Sequence, residues 1–360
     1  MLIDFFVARL RHWASVFVCF WILLAPTFAE DGAAITRPAP AAEFSNFADA
    51  LMLSVTQAGD RLVAVGEHGL ITLSDDQGQS WRQSRTGVPD TTLSAVTFID
   101  DSHGWAVGRD EAVLYSADGG DSWQLQHWNP YPDSGLEAAL LEVLFVNAAD
   151  GFAVGANGVL MRTDDGGANW QRDALMHSEG YEPHLFDISG GGDQPLYISA
   201  EEGTLLRSVD GGDSWQELAV PFAGSLFGAI PVGTDGVLAY AMLGKAFYSP
   251  DRGDSWQPLE TGTRNAWMNG RDRGDGSAVL VGYRGTVGVL DVSTLAVTLQ
   301  PQQHRRAIAD LLVMSAGQLL LAGQGGAWLS DFDPAISTSS AVNNQGSTAL
   351  VEAVSAQVSQ

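Results

Sequence analysis

The sequence predicts an all-β fold, a seven-bladed β-propeller of four-stranded antiparallel blades. Three observations predict it: an octapeptide S/T-x-D-x-G-x-x-W that occurs five times, a short apolar strand recurring at the same period, and the lack of a 3.6-residue apolar spacing after residue 29. The octapeptides run from Ser74 to Trp81, Ser116 to Trp123, Thr163 to Trp170, Ser208 to Trp215 and Ser249 to Trp256, with tryptophans 42, 47, 45 and 41 residues apart. Upstream of each lies a strand ending in a small residue, at Gly66, Gly108, Gly155, Ala200 and Ala241. Two further strands, ending at Gly282 and Gly323, keep a 41-residue period after the octapeptide has decayed, which makes seven units.

Within a unit the elements follow in order. In the second, "TLSAVTFID", "GWAVGRD", "AVLYSAD" and "WQLQ" are apolar or β-branched segments separated by Asp, Gly and Ser, the pattern of a four-stranded meander. The octapeptide is a turn: its Asp accepts backbone N–H groups further along, its Gly allows positive φ, and its Trp anchors the hairpin. Asp76, Asp118, Asp165, Asp210 and Asp251, with Trp81, Trp123, Trp170, Trp215 and Trp256, are therefore read as structural.

Outside the repeats, residues 1–29 read as an export signal. Arg9, Arg11 and His12 precede an apolar run from Trp13 to Ala25, and Thr27-Phe28-Ala29 suits cleavage after Ala29. The run is shorter than the roughly 20 residues of a membrane span. The only cysteine, Cys19, lacks the small residues that precede a lipidated cysteine, and its removal with the signal leaves no disulfide. The expectation is a periplasmic or otherwise secreted protein without direct membrane insertion. Residues 30–43 form an N-terminal segment, 44–333 the propeller and 334–360 a low-complexity tail. A strand must close the ring, from Ala33–Arg37 or from Thr348–Val354, and the former is preferred.

Acidic residues number 43 against 18 basic ones, of which Lys245 is the only lysine, a balance that excludes a nucleic-acid groove or an anionic lipid surface.

The repeated S-x-D-x-G-x-x-W, paired with (W/F)AVG strands, identifies an Asp-box (BNR-repeat) propeller and resembles the photosystem II stability/assembly factor family over residues 44–332. That resemblance implies a non-enzymatic extracytoplasmic propeller, without cofactor, that assembles or docks a membrane-protein complex or envelope protein, and that presents arginines on one face. Arg264, Arg271, Arg273, Arg284, Arg305 and Arg306 fall within 43 residues. The propeller is read as a monomer.

Propeller topology sorts the remaining candidates. Connections from strand two to strand three and from blade to blade share one face, and Asp-box turns occupy the other. The first face should hold Arg109, His127, Trp128, Tyr181, Arg264, Trp267, Arg271, Arg273, Tyr283, Arg284, Arg305 and Arg306 as a partner-binding set, since aromatic and arginine side chains on rigid loops suit protein recognition. The alternative is a sialidase-like hydrolase or a carbohydrate-binding propeller, with Arg264, Arg284 and Tyr283 beside Glu201 or Glu202. "ITRPAP" at Arg37 is a poor match for the first arginine of such a site. His177, Glu182 and His184, with His127 or His304, match no zinc spacing, so no metal is expected.

Overall fold

The second strand of each repeat carries the longest apolar run, and adjacent blades cover it on both sides. Gly104–Gly108, Gly151–Gly155, Gly236–Ala241 and Ser277–Gly282 are buried throughout, which is why they show no polar alternation. Fourth strands such as Gln171–Asp173 and Gln216–Glu217 are polar and exposed. The decline from apolar to polar along one repeat thus sets the radial order of its strands.

A computed structural model describes residues 39–332 apart from 45–46, 48, 85–87, 131–138, 174, 176–181, 301–303 and 315–316. These residues form a seven-bladed propeller of antiparallel sheets. Blades 1 to 6 have four strands each and span residues 52–83, 93–127, 140–173, 185–217, 226–258 and 267–300. Blade 7 has three among the described residues, within 308–331. Seven apolar clusters fill the seven gaps between blades, including the one between blade 7 and blade 1. Both segments proposed to close the ring lie outside the described residues, as do the export signal and the tail. Around that junction Leu51 bridges to Gln324, the Gly326 N–H donates to the Ala50 carbonyl, and Ser54 and Val55 donate to Asp310. No helix among the described residues is long and apolar enough to cross a membrane.

The glycine that closes the second strand in five of the seven blades has a steric cause, whereas blades 4 and 5 close it with Ala200 and Ala241. A Cβ at Gly66, Gly108 or Gly155 would lie 2.0 Å from the carbonyl oxygen of Leu51, Thr92 or Ala139, on the connection entering the same blade. In each blade the innermost strand then carries a bulge one residue after its start, which sets the register that follows. The bulge puts Ser54, Ala95, Glu142, Asp187, Gly228, Asn269 and Asp310 at equivalent positions of the seven inner strands.

Candidate functional site

On the Asp-box face, the box aspartates are satisfied by hydrogen bonds within their own turns. In the second box, Asp118 accepts the Ser122 N–H at 2.9 Å and its hydroxyl at 2.6 Å, while Ser116 donates to Asp118 and accepts the Gly120 N–H. The pattern repeats around Asp76, Asp165, Asp210 and Asp251. The hydroxyls of Ser80 and Ser214, with the neighbouring backbone N–H groups, push Asp76 and Asp210 down to about 2. Each box tryptophan packs in the cluster between its own blade and the preceding one: Trp81 against blade 7, Trp123 against blade 1, and Trp170, Trp215 and Trp256 likewise.

A second regularity escaped the sequence reading. The sixth box position is Asp in three blades, and each of these pairs with arginine from the preceding blade: Asp121 with Arg61 and Arg82, Asp213 with Arg162, Asp254 with Arg207. The signal was present, because Arg162 and Arg207 occupy the same place in their third strands.

The opposite face is built from turns with unusual backbone. In blades 1, 3, 4, 5 and 6 the connection between strands two and three is a single 3-10 turn whose middle residue is left-handed: His68, Asn157, Glu202, Leu243 and Arg284, with φ between 54° and 59°. The next residue is glycine, because the blade-to-blade connection passes directly beneath it. A Cβ on Gly244 or Gly285 would meet the Thr263 or His304 carbonyl oxygen at 2.3 Å. The two kinds of connection therefore share a face, and every apex side chain is held outward.

The candidate residues divide accordingly. Arg264, Arg284, Arg305 and Arg306 are exposed on this face, together with Lys245. Tyr283 is half-buried beside Arg284. Arg109 lies here too, 3.9 Å from Asp110. His127 is engaged: its Nε2 is 3.4 Å from Glu111, a buried carboxylate also bound by Arg172 and Asn129. Burial pushes Glu111 upward, but these partners outweigh it and hold it below its ordinary value. Trp128 is half-buried in the connection between blades 2 and 3. Tyr181 and His177 lie outside the described residues. His184 accepts the Asn157 N–H through Nδ1, and the described residues contain no group of three His, Cys, Asp or Glu arranged to hold a metal.

Three candidates belong elsewhere. Trp267 is fully buried between blades 5 and 6, its Nε1 donating to the Gly244 carbonyl, because it begins an inner strand and is not part of the loop before it. Arg271 lies four residues along that strand and points to the ring interior, donating to Asp310 at 3.0 Å. Arg273 follows the strand, in the hairpin on the Asp-box side, where it pairs with Asp275 and lies over the Phe332 ring. The hydrolase grouping is also divided, since Glu201 and Glu202 stand in the turn of blade 4, two blades from Tyr283 and Arg284.

The loop face has two electrostatic halves. Of the fourteen lysines and arginines among the described residues, nine form ion pairs. The remaining five, Lys245, Arg264, Arg284, Arg305 and Arg306, all lie on the loop face of blades 5 to 7. Segments 242–246, 259–266, 283–286 and 304–307, which build that arc, contain a single acid, Glu260. The equivalent turns of blades 1 to 4 carry Glu67, Asp110, Glu111, Glu201 and Glu202.

The interior holds the opposite imbalance. Glu142, Asp187 and Asp310 share the ring interior with Arg271 as their only close cation among the described residues. Burial pushes Asp187 up to about 7, and burial together with the charge of Asp187 pushes Glu142 well above its usual range.

Fold, box turns and an ion-pair-free basic arc define an Asp-box β-propeller with a candidate protein-binding face. The sequence profile of photosynthesis system II assembly factor YCF48 matches residues 126–327, which include the whole arc, and the chain belongs to that family. A structure of YCF48 bound to D1 peptide is similar at 17% identity and a TM-score of 0.66, covering 83% of this chain and 99% of its own. YCF48 from Cyanidioschyzon merolae is similar at 16% identity and a TM-score of 0.63, covering 79% and 96%. Streptogramin B lyase shares the architecture at 14% identity and a TM-score of 0.65, covering 79% and 94%. At these identities the likeness is one of fold. No curated protein sequence matches the chain.

Proposed function

We propose that the chain is a non-enzymatic, extracytoplasmic docking factor that holds an acidic segment of a membrane-protein subunit against the basic arc of blades 5 to 7 while the complex is assembled. One observation carries the reading: in a chain with 43 acids and 18 bases, the five described bases without an ion pair all fall on one arc of one face. A cation near a carboxylate is largely neutralised in its field, whereas an uncompensated cluster attracts an anionic partner and steers its approach. Membership of an assembly-factor family supports a docking role, and the structural neighbour bound to D1 peptide supports a peptide as the docked element. The sequence pattern of residues 1–29, a basic start, an apolar run and an Ala29 cleavage site, supports the compartment, and the protein is taken to act as a monomer.

The test is recovery of partners from detergent-solubilised envelope by the exported protein. A membrane-protein subunit should be captured by the native chain and reduced at least about tenfold by Arg264→Glu, Arg284→Glu and Arg305→Glu combined. An identical partner list for both would overturn the arc as the docking surface. Cell fractionation that finds the chain in the cytoplasm would overturn the compartment.

A further inference from the structure

The arc contains one residue that does not fit a purely electrostatic surface. Leu243 is the apex of the blade 5 turn and is 57% exposed, the only large apolar side chain so exposed on this face among the described residues. Its φ of 59° is in the left-handed region, which a side chain with a Cβ adopts at a cost and glycine does not. The equivalent apices of blades 1, 3, 4 and 6 are His68, Asn157, Glu202 and Arg284. The fold itself therefore imposes the conformation, and only blade 5 combines it with an exposed aliphatic group.

Beside Leu243 runs a groove of about 320 Å³ between blade 5 and its connection to blade 6. Its floor is apolar or satisfied: Leu259 is buried, and the Thr261 hydroxyl donates to the Gly244 carbonyl at 2.6 Å. Its rim carries Lys245 and Arg264, with Glu260 as the one carboxylate. An aliphatic wall in a groove that also carries two cations is complementary to an apolar side chain flanked by carboxylates. A nucleotide would leave Leu243 against phosphate, and an uncharged glycan would leave the cations uncompensated.

We propose that this groove is the specificity pocket of the docking face, taking one aliphatic side chain of an extended peptide whose neighbouring acidic residues pair with Lys245 and Arg264. The proposal rests on the docking reading above and adds what that reading lacks, an anchor that distinguishes one acidic segment from another.

Fluorescence anisotropy with labelled Gly/Ser peptides tests it, using one with Asp-Leu-Asp at its centre and one with Asp-Ala-Asp. The leucine peptide should bind about tenfold more tightly, the gain expected for burying an aliphatic side chain. Leu243→Gly should hold or raise the melting temperature, because glycine accepts the left-handed conformation, and should reduce leucine-peptide binding to the alanine level. Arg305→Glu, beyond the groove, should weaken both peptides by the same factor. Equal binding of the two peptides by the native chain, or an unchanged ratio in Leu243→Gly, would overturn the pocket and leave the basic arc standing. Binding of neither peptide would overturn both. A dimer of the native protein in sedimentation that Leu243→Gly dissolves would put a second copy in the groove and overturn the peptide assignment.

Discussion

On the Asp-box face, Arg61, Arg82, Arg162, Arg207, Arg252 and Arg273 each meet a carboxylate, four of them across a blade boundary. On the loop face of blades 5 to 7, Lys245, Arg264, Arg284, Arg305 and Arg306 meet none among the described residues. In so acidic a chain a base finds an acid by default, so the exception is what calls for explanation. Repetition and availability are opposed here. Where the repeat is strict, its side chains are consumed in holding blades together; two of the three blades that build the arc have lost the octapeptide.

If that division is right, substitutions on the two faces should differ in kind. The largest effect on stability is expected from Trp123→Ala, which empties the cluster between blades 1 and 2 and should cost about 3–5 kcal/mol in denaturant unfolding. Asp118→Ala removes the acceptor of three hydrogen bonds in the same box and should cost about 1–3 kcal/mol. Neither should alter the selectivity of partner capture by the protein that remains folded. Arg252→Ala, breaking a pair with Asp235 in which both side chains are exposed, should cost only about 0.2–1 kcal/mol. Arg284→Glu should change stability by less than about 0.5 kcal/mol while lowering capture, and a large loss of stability there would show that the arc is structural after all.

The ring interior and the boxes should also respond to pH with opposite signs. Asp76 and Asp210, lowered to about 2, bind fewer protons folded than unfolded below pH 4 or so. Their contribution is therefore complete above the ordinary 3.8 and is lost as pH falls through 2. Asp187, raised to about 7, binds more protons folded than unfolded, so stability falls as pH rises from 3.8 to 7 and stays reduced above it. The buried Glu142 acts in the same direction beside it, facing Asp310, Arg271 and Tyr240. Asp187→Asn should then raise the melting temperature at pH 8 and change it little at pH 5. An equal shift at both would remove the interior charge as the cause.

Much of this was legible because it is local. The boxes are satisfied by residues two and four positions away, and the glycine ending five of the second strands answers to a carbonyl of the same blade, so octapeptide and period together contain both fold and blade count. Trp267, Arg271 and Arg273 were misplaced for the converse reason. One strand, its bulge and its hairpin send three nearby residues to the core, the ring interior and the Asp-box face, while Arg264 and Arg284 on either side stay on the loop face. A cluster in sequence is not a cluster in space when the chain crosses the propeller between its members.

The sequence by itself determined that the chain is a seven-bladed propeller and that its box aspartates are turn residues, because those depend on contacts a few residues apart that recur with the repeat. Only the tertiary structure decided which basic residues lack an ion pair and that Leu243 stands among them. That outcome depends on which segments of separate blades are brought side by side, and on the scarcity of acids in those particular segments.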